Sequence, residues 1–237
     1  MSIRRSSRSR VPHQKNQEFA LFFPTPSHRA APGSVERLKY LESLVNEFRC
    51  TDVTEYKEQI IANLGNFAHD PRNSSQLLGI GVSKLFFDTI GSNLNQSHLQ
   101  GSQPSNSTVS QADPLHSSRL LSLSVAGLTN LISSSPTIRK ELFTSGAIPL
   151  LANCLQSSDP EVLVNALTSL IYLCTPTSQT PALNSAGVKN FQASLPSIFP
   201  GLCERVRSLT TASTTLPDRR ISVLAEIFLT DCSGDKI

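Results

Sequence analysis

From Val35 onward apolar residues recur at steps of three and four. Val35, Leu38, Leu41, Leu44, Val45 and Phe48 share one helical face, with Tyr40 beside it. A second amphipathic helix is expected over 54–68, with Thr54 as N-cap, Ile60, Ile61, Leu64 and Phe67 facing a core, and Pro71 placed to stop it. In 146–174 (GAIPLLANCLQSSDPEVLVNALTSLIYLC) Pro149 opens a helix, SSDP breaks it, and a fresh amphipathic helix starts at Pro160. A last helix, RRISVLAEIFLT, is expected over 219–230.

These helices repeat. ANLGNF (62–67), AGLTNL (126–131) and ALTSLI (166–171) align without gaps, the last two 40 residues apart and the first two 64 apart. The excess falls in one polar stretch, 91–114, whose composition is that of a disordered loop. Without it the spacing returns to about 40, the range of armadillo and HEAT units. Gly81, Gly146 and Gly187 each precede an apolar helix, where a glycine can take the left-handed conformation that re-aims the chain. The expected fold class is all-α: a short armadillo-type α-solenoid of about four repeats. Residues 33–232 form the domain, with insertions at 91–114 and 209–218, a disordered tail over 1–32, and a C-terminal tail over 233–237.

Composition narrows the function. The chain has 237 residues, 38% hydrophobic and 6% aromatic, with no tryptophan, which suits leucine-packed helices better than an aromatic-rich sandwich. The net charge of +3 belongs to the tail: residues 1–32 carry six basic groups and one acid, and the other 205 carry 15 basic and 17 acidic ones. A body of net charge −2 is a poor nucleic-acid surface. No apolar run reaches membrane-spanning length and no signal-peptide pattern follows the start, so a soluble, unsecreted protein is expected. The five cysteines are odd in number and well separated, which predicts reduced, buried thiols and no metal site.

Catalytic equipment does not assemble. The sequence contains neither G-x-S-x-G nor a Walker-type loop. His69, next to Asp70, is the one histidine expected near folded structure, and it reads as a helix-end pair. No enzyme activity and no cofactor are expected.

The 146–174 segment resembles an armadillo repeat, with Leu170 standing where that family usually places asparagine; Asn66 and Asn130 keep the amide. The runs VERLKYLESLVNEFRC, KEQIIANLGNFAHDPRN and LAEIFLTD are similar to the armadillo repeat-containing protein 7 family, a resemblance covering about 33–231 apart from the insertions. It implies a small nuclear protein that pairs with RNA-binding motif protein 48 in the minor spliceosome, so that RNA contact is indirect. Alternatives are direct RNA binding through the Arg/Ser tail, or a generic adaptor for transport or signalling.

In armadillo proteins the last helix of each unit lines a concave groove. The resemblance therefore assigns partner binding to Tyr56, Gln59, Asn63 and Asn66 in the first unit, Leu123 and Asn130 (with Gly127) in the second, and Leu163, Leu167 and Leu170 in the third. A helix apolar all round is normally covered all round. Two covers are open for those leucines: a partner helix, or the chain's own last unit.

Overall fold

The structure is a computed structural model that describes residues 31–99, 114–174, 199–211 and 218–232. Among them are ten α-helices, one 3-10 turn and no strand: α1 (Val35–Cys50), α2 (Thr54–Ala68), the turn Pro71–Asn73, α3 (Ser74–Gly79), α4 (Val82–Leu99), α5 (Pro114–Ser134), α6 (Pro136–Thr144), α7 (Ala147–Cys154), α8 (Pro160–Cys174), α9 (Leu202–Thr211) and α10 (Arg219–Cys232). Four of them, α2, α5, α8 and α10, stack on one another in that order. Behind them α1 covers α2, α4 covers α5, α7 covers α8 and α9 covers α10. The result is an α-solenoid of four helix pairs, with α3 and α6 as short leading helices of the two middle units.

Each outer helix begins just after a left-handed glycine: Gly33 (φ 81°), Gly81 (φ 76°), Gly146 (φ 87°) and Gly201 (φ 85°). Only glycine holds that conformation without strain, which makes these four residues the hinge points of the stack. The sequence ladder named Gly81 and Gly146 correctly, missed Gly33 and Gly201, and proposed Gly187, which lies outside the described residues. The tail expected over 1–32 also lies almost wholly outside them.

Two boundaries shift. The polar stretch expected to begin at 91 continues as helix to Leu99. Leu94 is buried there, and its polar neighbours bond within the helix, Ser92 Oγ to Asp88 O (2.8 Å) and Asn93 Nδ2 to Thr89 O (2.7 Å). The second insertion narrows likewise, because α9 reaches Thr211 and buries Leu209. The cap of α2 is Val53, with Thr54 as its first helical residue.

Aspartates start the later elements. Asp70, Asp159 and Asp218 each accept a backbone N–H two residues on, at 3.0, 2.9 and 2.9 Å, in the N-cap geometry that satisfies an otherwise open donor. At the rear, Arg205 of α9 donates from Nε (3.0 Å) and Nη2 (2.8 Å) to the carbonyl of Leu155, tying the last pair to the C-terminus of α7.

Candidate protein-interaction face

Eight of the nine buried positions of α5 (Leu120, Leu121, Ser124, Val125, Gly127, Leu128, Leu131, Ile132; Thr129 is the exception) recur in α8 as Val162, Leu163, Ala166, Leu167, Ser169, Leu170, Leu173 and Cys174. Each is displaced by the same 42 residues. The 40-residue alignment is therefore two residues out of register. Its anchor was alanine, a residue small enough for either face: Ala126 is half-exposed, whereas Ala166 is fully buried.

That slip corrects the third unit. Leu163, Leu167 and Leu170 are at most 1% exposed and belong to the core, where α7 and α10 enclose α8 from within the chain. Val164 and Ile171, by contrast, are only half-buried. The position equivalent to Asn66 and Asn130 is Tyr172, 40% exposed.

In the corrected register the open face is a set of rows across α2, α5, α8 and α10, the last displaced from α8 by 59 residues so that Ile221, Ala225, Phe228, Leu229 and Cys232 match buried positions. A central row is Ala62, Ala126, Thr168 and Ile227; beside it run Asn66, Asn130, Tyr172 and Asp231. All eight are half- or fully exposed. Of the first-unit candidates, Gln59 and Asn66 are exposed while Tyr56 and Asn63 are half-buried; Leu123 is half-buried against the core.

Asn130 has a structural duty as well. Its Nδ2 donates to the carbonyl of Gly65 at 3.0 Å, crossing from α5 to α2. The two helices approach closely there, a Cβ on Gly65 sitting 3.3 Å from Gly127 Cα, while towards α4 a Cβ on Gly127 would lie 2.6 Å from the Phe86 ring. Between α5 and α8 the link is Thr129 Oγ1, 2.9 Å from Ser169 Oγ and 3.2 Å from the Asn165 carbonyl.

At one edge of the face the equivalent residues are Glu55, Arg119, Glu161 and Arg220, acid alternating with base. Arg119 Nε pairs at 3.2 Å with Glu58, a carboxylate whose side chain is only 8% exposed and which His116 Nδ1 also meets at 2.6 Å. Arg220 bridges Glu161 and Asp218. Its hydrogen bonds hold the Asp218 carboxyl below the usual carboxylate range and raise the guanidinium in turn. At the other edge the Arg139 guanidinium lies 5.9 Å from the Tyr172 ring centre, a cation–π contact.

Four cysteines are buried and Cys50 is exposed. Burial pushes the Cys154 thiol up to about 12, and a hydrogen bond that the Cys174 thiol donates to Cys232, followed by burial, raises Cys174. Such thiols are poor nucleophiles. No group of three or more His, Cys, Asp or Glu side chains among the described residues is placed to hold a metal ion. No helix among them is long and apolar enough to cross a membrane.

The stacked helix pairs, the glycine hinges and an open face lined by the last helix of each unit define an armadillo-type α-solenoid, the architecture of a protein-interaction scaffold. The Armadillo/beta-catenin-like repeat family matches residues 135–175, the stretch holding α6, α7 and α8. Over 56 residues the chain is 48% identical to "Armadillo repeat-containing protein 7" of Mus musculus, covering 24% of this chain and 28% of that protein. The chain is thus similar to that protein over little more than a quarter of the relative's length.

Proposed function

We propose that this chain is a nuclear, non-enzymatic scaffold of the minor spliceosome, forming a heterodimer with RNA-binding motif protein 48 and contacting RNA through that partner. The observation that carries the reading is the 48% identity to armadillo repeat-containing protein 7. The open row Asn66, Asn130 and Tyr172 supplies the surface: amides that can bond a partner backbone, and an aromatic of the kind that dominates interface energetics. A body with 15 basic and 17 acidic side chains outside residues 1–32 is consistent with indirect RNA contact.

The test is co-purification from nuclear extract with tagged full-length protein, reading both proteins and small nuclear RNAs. The wild type should retain an RNA-recognition-motif partner and minor-spliceosome RNAs. The variant Asn66→Ala/Tyr172→Ala, folded by circular dichroism, should retain about tenfold less of both, the loss expected when an aromatic anchor is truncated. Recovery of neither from the wild type overturns the spliceosomal reading. Retention by the variant moves the partner off this face, and loss of RNA alone on deleting residues 1–32 assigns RNA contact to the tail.

A further inference from the structure

Away from the open face, the end of α1, the start of α2, the flank of α4 and the first turns of α5 enclose a hollow of about 540 Å³. Phe48, Leu85 and Leu120 give it an apolar lining, and Arg49, Lys57 and Lys84 surround it with positive charge. The compensation of these cations is uneven. Lys84 is neutralised by Asp88 at 2.8 Å. Lys57 rests its ammonium 5.7 Å from the Phe48 ring centre and forms no ion pair with the described residues. Arg49 is exposed and forms no ion pair with the described residues.

Helix α2 adds to this field. Its N-cap, Val53, supplies no side-chain acceptor and its carbonyl takes the Tyr56 and Lys57 N–H groups, so it is the N–H groups of Thr54 and Glu55 that remain open among the described residues, beside the hollow that Thr54 lines. Open N–H groups and the positive end of the helix dipole both favour an anion. A hollow with two unmatched cations in a body of net negative charge is a local exception to the chain's electrostatics.

We propose that this hollow binds a phosphoserine or phosphothreonine side chain of a protein partner. Arg49, Lys57 and the first N–H groups of α2 receive the phosphoryl oxygens, while Phe48 and Leu85 receive an apolar neighbour of the modified residue. A phosphomonoester carries nearly two negative charges, matching two unmatched cations. An RNA strand fits less well: it needs a track of cations along its backbone and open aromatic faces for stacking, and the ring here lies beneath Lys57. The site is separate from the Asn66–Tyr172 row and does not rest on the spliceosomal reading.

The experiment titrates ¹⁵N-labelled full-length protein with N-acetyl-phosphoserine amide, N-acetyl-serine amide, N-acetyl-glutamate amide and a U-rich 12-nucleotide RNA, following amide shifts at Thr54, Lys57, Lys84 and Ser117. The phosphoserine probe should shift them saturably, and the serine and glutamate probes should not. Arg49→Ala/Lys57→Ala should weaken the response by about tenfold or more, the scale of losing charge-assisted hydrogen bonds. The charge-preserving pair Arg49→Lys/Lys57→Arg should retain most of it. Both variants change exposed or half-exposed side chains, so their spectra elsewhere should match the wild type. No saturable shift, or equal shifts with glutamate, overturns the proposal. Tighter binding of the RNA at the same amides replaces it with a nucleic-acid site.

Discussion

Helices α2 and α8 hold the same place in their units and are built from different material. On α2 the apolar residues Ile60, Ile61, Leu64 and Ala68 are buried, while Glu55, Gln59 and Asn66 are exposed. On α8 the leucines at 163, 167, 170 and 173 are all buried, together with Val162, Ala166 and Cys174. The difference is one of neighbours. The helices packed most closely on α2 are α1 and α5, whereas α5, α6, α7 and α10 all reach α8. An innermost helix of a solenoid is as apolar as its number of flanking helices demands, so an all-apolar helix marks the middle of the stack before it marks a binding site.

The sharpest way to break that comparison is to truncate α8. Leu167→Ala and Leu170→Ala should each destabilise the protein by about 2–5 kcal/mol, the range for a buried leucine, in urea unfolding followed by circular dichroism. Exposed Gln59→Ala on α2 should change stability by no more than about 0.5 kcal/mol. Comparable midpoints for the two helices would place the α8 leucines at a surface.

Smaller effects sharpen how α2 is held. Gly127→Ala places a Cβ 2.6 Å from the fully buried Phe86 ring, and the overpacking should cost about 1–3 kcal/mol in the same unfolding series. Asn130→Ala removes the bond to the Gly65 carbonyl and should cost about 1 kcal/mol. A double-mutant cycle between these two should show coupling, since both positions lie within one turn of α5, Gly127 facing α4 and Asn130 facing α2.

The mildest effect is a pH dependence at α10. The Asp218 carboxyl is held below its ordinary value of 3.8 by Arg220, so the folded state binds its proton less tightly than the unfolded chain. Its contribution is complete above that ordinary value and is lost as pH falls through the lowered folded one. Acid titration followed by amide exchange should therefore loosen the first turn of α10 in wild type, and Asp218→Asn should abolish that step. An unchanged step in the variant would assign it to another carboxylate.

Much of this architecture can be read from periodicity. The spacing of Leu38, Leu41, Leu44 and Val45 identifies α1, and that of Ile60, Ile61, Leu64 and Phe67 identifies α2, because one face of each is buried and the other is wet. Periodicity is silent where apolar residues stand all round a helix, and so an alanine that fits either side misplaces the α8 register. It also fails where polar residues satisfy themselves within the helix, as Ser92 and Asn93 do in α4. The candidate face was half legible: Gln59, Asn66 and Asn130 were placed on an accessible side, while Tyr172 became visible only through burial. The alternating edge Glu55, Arg119, Glu161 and Arg220 depends on a register spanning four helices, and no single stretch of sequence contains it.

That alternating edge gives the stack a parity. Duplicating any one unit, or deleting an inner one, would set acid beside acid or base beside base along the rim, with like charges as nearest neighbours. Adding or removing two units would keep every neighbour opposite in sign. The array can therefore change its length in even steps with its rim intact, and its four units read as two doublets laid end to end.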